Sequence, residues 1–320
     1  MKLILFVFSV LLVLFSKPAF SSVTIVPLKA NDKAIDNFPF VGMMINVSNN
    51  SCGSGTVIGD GSFVLTARHV VTHNGSDTGM LLDGSNFVFV IGDKKYKVLN
   101  VYGHSSADIA IVKIDGIHQQ SAKLSFSTRF IGKEFYGTGY GKGSSSATSK
   151  CIGWDLEYGT MRIYKNKMDT EFINLRISGS NITMTRVFIF SLSDPDTLGK
   201  NDGAIEGEGM HGPGDSGGGI FVIEDGELHL FGVISALTQE APYTGFVHDV
   251  SACKEWIESI VKNAVAIPKL QAPDEQNIQI NIIGEALKSP SPKVDTPFTP
   301  FLNNERRRRS RIPPFDEMPF

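Results

Sequence analysis

The sequence predicts an all-β domain flanked by two segments that lie outside the fold. Three observations carry the prediction. Short apolar runs rich in β-branched and aromatic residues recur along the middle of the chain, Gly, Asp and Asn turn signals separate them, and the composition changes abruptly at each end. Of the 32 glycines in 320 residues, 31 fall within 23–265, as expected of a chain that turns often. Hydrophobic residues make up 42% and charged residues 20%, enough to bury a large core and too apolar for whole-chain disorder. Thirty basic residues against 33 acidic ones leave a net charge of −3, so the chain lacks the basic field of a nucleic-acid-binding protein.

Residues 1–22 read as a signal peptide. Lys2 supplies the positive start, an apolar run covers residues 3–15 interrupted only by Ser9, and Ala19-Phe20-Ser21 places small residues where a signal peptidase reads. The run is shorter than the roughly 20 residues a membrane span needs. Export with cleavage, to a secreted or periplasmic location, is therefore the expectation, with an uncleaved anchor as its rival.

Within 23–265, strands are expected at 41–47, 56–58, 63–66, 87–91, 109–114, 187–190, 220–223 and 228–234. Gly59-Asp60-Gly61, Asn74-Gly75, Asp83-Gly84 and Asp225-Gly226 mark turns between them. Many short strands at this spacing indicate a barrel or a sandwich. A helix follows, with Ser251 as its cap and Cys253, Trp256, Ile257, Ile260 and Val261 on one face; it ends before Pro268.

Residues 266–320 hold nine of the 15 prolines and a single glycine, Gly284. Ser289-Pro290-Ser291-Pro292 and Thr296-Pro297-Phe298-Thr299-Pro300 exclude helix. A disordered, Pro-rich tail is expected. Alternating Ile278, Ile280 and Ile282 are compatible with one short strand. Arg306 to Arg309 and Arg311 form a basic cluster, a solvated face in the plain reading and a contact for an anionic surface or partner, or a processing site, in the sharper ones. Three cysteines, Cys52, Cys151 and Cys253, are too few for a disulfide scaffold and leave the pairing open.

Three sites in a fixed order carry chemistry. His69 follows the apolar run ending Leu65-Thr66-Ala67-Arg68, Asp108 heads Asp108-Ile109-Ala110-Ile111-Val112, and Ser216 sits in Gly214-Asp215-Ser216-Gly217-Gly218-Gly219 before another apolar strand. Each alone has a bland explanation: a structural histidine, a turn aspartate, a flexible loop. Together, in this order and each at a strand border, they are a far stronger signal, since a serine hydroxyl is a poor nucleophile until a base takes its proton.

With T-A-x-H, D-I-A and G-D-S-G-G at these positions, the chain resembles the chymotrypsin/trypsin-like serine proteases. Thr138-Gly139-Tyr140-Gly141, Gly232-Val233-Ile234-Ser235, Gly245-Phe246-Val247 and the Trp256-Ile257 helix are similar to further segments of that family. The likeness spans about 39–261 and is poor over 153–200. The 56–66 hairpin and the missing disulfides look more like bacterial secreted members. The resemblance implies a two-barrel fold closed by a C-terminal helix, in a monomer that needs no metal or other cofactor and acts on protein or peptide substrates. It also implies His69 as general base, Asp108 as its orienting carboxylate and Ser216 as nucleophile. The backbone N–H groups of Gly214 and Ser216 then form the oxyanion hole, and Ser235 bonds to Asp108. By the same carry-over, Met210, Ser235, Leu237 and Gly245 line the primary pocket. With no carboxylate at its floor, that pocket is expected to prefer apolar side chains, with glutamate bound by His211 and His248 as the second possibility. Asp215 raises a separate question, because no Ile-Val-Gly-Gly start exists to pair with it. Another partner is favoured over an atypical N-terminus. The competing functional class is a secreted binding or adhesion protein on a catalytically inactive protease fold.

Overall fold

A computed structural model describes residues 23–24, 38–76, 79–144, 154–176, 183–193, 204–238 and 243–265. The expected signal peptide and the Pro-rich tail lie outside the described residues.

The first half of the domain is a closed six-stranded antiparallel barrel. Its strands are β2 (Val41–Asn46), β3 (Ser51–Ile58), β4 (Phe63–Thr66), β5 (Phe87–Ile91), β6 (Lys94–Gly103) and β7 (Ala110–Ile114). They run in the order β2-β3-β4-β7-β6-β5, with β5 returning to β2. The β3–β4 turn forms because Asp60 Oδ1 accepts bonds from both the backbone N–H and the hydroxyl of Ser62, at 3.0 and 2.6 Å. All six residues of β2 are buried, because one face looks into the barrel and the other is covered by the rest of the domain. By contrast, β6 alternates Lys with Tyr96 and Val98 and keeps one face in water, which hides it from a reading based on apolar runs.

The second half is a sheet in the order β10-β9-β14-β15-β16-β12-β11. It comprises β9 (Glu134–Gly139), β10 (Arg162–Lys167), β11 (Thr170–Arg176), β12 (Thr183–Ser191), β14 (Gly219–Glu224), β15 (Glu227–Leu237) and β16 (Thr244–Asp249). The short β8 (Lys123–Leu124) pairs parallel to β15. At the N-terminus, β1 (Val23–Thr24) pairs with β13 (Gly209–Met210), placing Val23 opposite Met210. With the closed barrel, this sheet gives the two-barrel, all-β architecture expected from the sequence.

The two halves bury different cores. One cluster fills the first barrel around Met44, Val64, Leu65, Phe89 and Ile111 and continues across the junction to Tyr136, Phe221 and Val233. The other is aromatic: Phe130 stacks on Phe231 with ring centroids 4.0 Å apart, and Phe135 meets Phe190 edge-on at 4.9 Å.

The helix α1 (Lys254–Val265) closes the domain. Ser251 does not cap it directly. It opens a 3-10 turn, Ser251–Cys253, whose first N–H and hydroxyl are both held by the Asp249 carboxylate, at 2.7 and 2.8 Å. Ile257 is buried, Trp256 meets the His104 ring at 5.1 Å, and Val261 covers Gly59 in the β3–β4 turn, so α1 lies against the first barrel.

Candidate active site

His69 occupies the 3-10 turn Arg68–Val71 that follows β4. The turn forms where the chain leaves the barrel wall, and it is fixed from outside: the backbone N–H of His69 donates to Asp108 Oδ1 at 2.8 Å. Asp108 stands just before β7, the barrel neighbour of β4, so strand pairing places the two side by side. His69 Nδ1 lies 2.7 Å from Asp108 Oδ2. A carboxylate only accepts, so Nδ1 carries a proton, and in the neutral ring Nε2 presents a lone pair.

Asp108 is 2% exposed. Burial alone would raise its pKa. The His69 imidazole, its hydrogen bond, nearby His248 and a hydrogen bond from Ser235 reverse that and hold the carboxyl well below the ordinary range. The Ser235 hydroxyl donates to Oδ2 at 2.6 Å. It reaches across from the second half because the β15–β16 register shifts between Ile234 and Ala236, and the bulged residue is re-aimed.

Ser216 lies in the turn between β13 and β14, where two glycines allow a fold that other residues resist. Gly214 has φ +91° and Gly217 φ +85°. Gly217 also packs so closely on Thr66 Oγ1 and the Ala67 backbone that a Cβ would not fit. The Ser216 carbonyl accepts from Ser54 N at 2.7 Å, beside Val70 and Gly53. The Ser216 turn is thereby set against the segment that carries His69.

Peptide orientation around Ser216 is fixed by hydrogen bonds. The Pro213 carbonyl accepts from Lys142 N at 2.8 Å, and the Asp215 carbonyl from Gly218 N at 2.8 Å. In a trans peptide the C=O and the following N–H point in opposite directions. The N–H groups of Gly214 and Ser216 are accordingly turned away from those anchors.

Asp215 is fully buried. Its Oδ1 accepts from Gly141 N at 2.7 Å and its Oδ2 from Gly212 N at 2.8 Å. Arg162, on β10, is also buried; its guanidinium donates to the Gly141 and Glu157 carbonyls and feels the Asp215 charge, which opposes the lowering of its pKa by burial.

Residues read as pocket-forming are spread over three strands. Met210, on β13, is wholly buried among Tyr164, Phe190 and Ile234. Leu237 ends β15 and pairs with Gly245 of β16. Gly245 abuts Phe190 and His211, leaving no room for a side chain. His211 is 1% exposed and engaged at both nitrogens, at 2.7 Å to the Ala236 carbonyl and 3.0 Å to Tyr164 Oη. The carbonyl requires Nε2–H, so Nδ1 accepts from the tyrosine. Burial, opposed by the Ala236 bond, brings its pKa down to about 4. His248 does not join His211. It is buried near Asp108 on β16, its pKa lowered to about 4 by burial against the pull of the Asp108 charge.

Two buried polar residues of this region escaped the sequence reading. Ser54 sits between Gly53 and Gly55, just before the strand expected at 56–58. Arg162 opens a charged strand, Arg-Ile-Tyr-Lys-Asn-Lys, that reads as surface. Neither belongs to a contiguous motif; the missing Ile-Val-Gly-Gly start said only that Asp215 needs another partner.

The described residues hold the His69 imidazole against a buried carboxylate, and the glycine turn that carries Ser216 packs on Thr66, Ala67 and Val70 of the segment around that histidine. A model of the Trypsin family matches residues 29–257. No curated protein matches the chain.

Proposed function

The chain belongs to the trypsin family of serine proteases, and from that premise we propose that it is an exported serine endopeptidase working through His69, Asp108 and Ser216. The observation that carries the proposal is the Asp108 carboxylate, gripped at 2.7 Å by His69 and 2.6 Å by Ser235. With Nδ1–H on the carboxylate, His69 offers Nε2 to take the Ser216 proton as the hydroxyl attacks the substrate carbonyl. Asp108 stabilises the imidazolium that results, and His69 then returns the proton to the leaving amine. The Gly214 and Ser216 N–H groups receive the oxyanion. Water repeats the cycle on the acyl-enzyme.

For specificity, we propose cleavage after apolar residues. Met210, Ala236, Leu237 and Gly245 bring no charge. His211 has both nitrogens occupied and a pKa held near 4, so it offers a glutamate side chain neither a free donor nor a positive charge at neutral pH. The backbone grip on Asp215 supports a turn that is ordered in the uncut chain rather than by a newly released amine.

Labelling with a fluorophosphonate probe tests the proposal. Wild type is expected to react and Ser216→Ala to remain unlabelled. An exported wild-type protein that does not label, and that hydrolyses no peptide, would instead make the chain a binding protein on an inactive protease fold.

A further inference from the structure

Ser54 stands on β3, in the first barrel, 160 residues before the turn that it touches. It is wholly buried, and every polar atom it owns is engaged. Its N–H donates to the Ser216 carbonyl at 2.7 Å. Its hydroxyl donates to the Gly214 carbonyl at 3.1 Å and accepts from Tyr140 N at 2.9 Å. Its carbonyl accepts from Thr66 Oγ1 at 2.7 Å, on the strand that leads to His69.

We infer that Ser54 is a positioning residue for oxyanion stabilisation: its hydroxyl fixes the Gly214–Asp215 peptide and so keeps the Gly214 N–H aimed at the developing charge. Gly214 has φ +91° and no Cβ, so its backbone has little intrinsic reason to hold one orientation. The preceding peptide is anchored by Lys142 N on the Pro213 carbonyl. The following one is anchored by Ser54 Oγ and by Asp215 N on the Gly212 carbonyl at 3.0 Å. Rotation of Gly214 about its own φ and ψ is blocked only while both peptides are held. Tyr140 N, next to the Gly141 N–H that binds Asp215, orients the Ser54 hydroxyl in turn. A serine side chain thus ties the barrel that carries the base to the loop that carries the oxyanion donors.

The inference rests on the serine-protease reading above. Its test uses the full chain as wild type, Ser54→Ala and Ser54→Cys, with active sites titrated so that only folded enzyme counts. Alanine deletes the donor; cysteine keeps the volume with a weaker one. For Ser54→Ala, kcat on a chromogenic peptide anilide should fall about 10- to 100-fold, less than the loss of an oxyanion donor itself, with KM changed by no more than about twofold. Affinity for a peptidyl trifluoromethyl ketone, whose adduct places an alkoxide in the same site, should fall by the same factor as kcat/KM. Ser54→Cys should lie between the two. Wild-type kcat and ketone affinity in either folded variant, or a loss confined to KM or to Tm, overturns the inference while leaving the protease reading intact. A wild type that neither labels with fluorophosphonate nor cleaves peptides overturns both. If Ser54→Ala does not fold, Ser54→Cys decides alone.

Discussion

Ser235 Oγ and Asp108 Oδ2 meet at 2.6 Å, a hydrogen bond donated from the second barrel to a buried carboxylate of the first. Asp108 keeps its two bonds to His69 without it, so Ser235→Ala should weaken rather than abolish the site. A hydrogen bond to a charged group contributes about 1.5–3 kcal/mol, and kcat/KM should fall by up to about 10- to 150-fold. Asp108→Asn, which favours the wrong imidazole tautomer, should cost about 10⁴-fold. Steady-state kinetics on one peptide substrate would check the ranking, and equal losses in the two variants would contradict it.

Stability should decline in mild acid. His211 and His248 are neutral in the fold, with pKa values brought down to about 4, and regain the ordinary value of about 6.5 on unfolding. Between those limits the unfolded chain binds more protons, so stability falls as pH drops, by about 1.4 kcal/mol per unit for each histidine fully engaged. Asp108, with its depressed pKa, adds a loss of the same sign below the ordinary carboxylate range. Asp249, raised by burial, works in the opposite sense just above that range. Urea midpoints at pH 7, 6 and 5 should therefore decrease in order, most steeply toward pH 5. A flat series would mean that the two histidines are protonated in the fold.

Arg162→Met should impair both stability and catalysis. It removes the donors to the Gly141 and Glu157 carbonyls and the positive charge near Asp215. The Gly141 carbonyl is buried, and leaving it without a donor costs about 1–3 kcal/mol. Thermal melting and kcat/KM should fall together. If the reading of Asp215 is right, extra residues left before Val23 should not change wild-type kcat/KM. Activity that appears only after the N-terminus is cut would refute it.

A peptide library should show cleavage after apolar residues. Cleavage after Arg or Lys would mean that a carboxylate outside the named pocket residues reaches the floor. A preference for Glu would require His211 to give up the Ala236 carbonyl or Tyr164, and His211→Ala would then abolish that preference.

Ending the chain after residue 268 should leave kcat/KM on a small peptide ester unchanged, because His69, Asp108, Ser216 and Ser235 all precede α1. A loss seen on ending after residue 268 but not after residue 288 would show that 278–283 belongs to the catalytic domain.

Much of the first barrel was legible in the sequence because its strands are short and apolar on both faces: 63–66 and 87–91 coincide with β4 and β5. Strands with one wet, lysine-bearing face, such as β6, were not, and neither was β10, which opens on the buried Arg162. The site divides in the same way. His69, Asp108 and Ser216 announce themselves because each sits within a contiguous motif whose local shape the neighbours dictate. Ser54 and Arg162 act through contacts far along the chain: Ser54 meets Gly214 160 residues away. No local pattern records a partner at that distance. The histidine pair shows the opposite failure: His211 and His248 suggest a shared site by composition, yet the register of β16 sends His248 to Asp108 while Tyr164 and Ala236 claim His211.

The placement of α1 bears on how the molecule is made. Ile257 and Val261, near the end of the described chain, cover part of a barrel whose strands begin at Val41. A ribosome releases that barrel long before it releases its cover. Until about residue 265 has emerged, the first half must wait with the Gly59 turn and the His104 side chain bare to water. Closure of the N-terminal half therefore waits on the last helix, and a chain ended between Ile114 and Trp256 would hold β2 to β7 with His69 and Asp108 but lack the helix that covers the Gly59 turn.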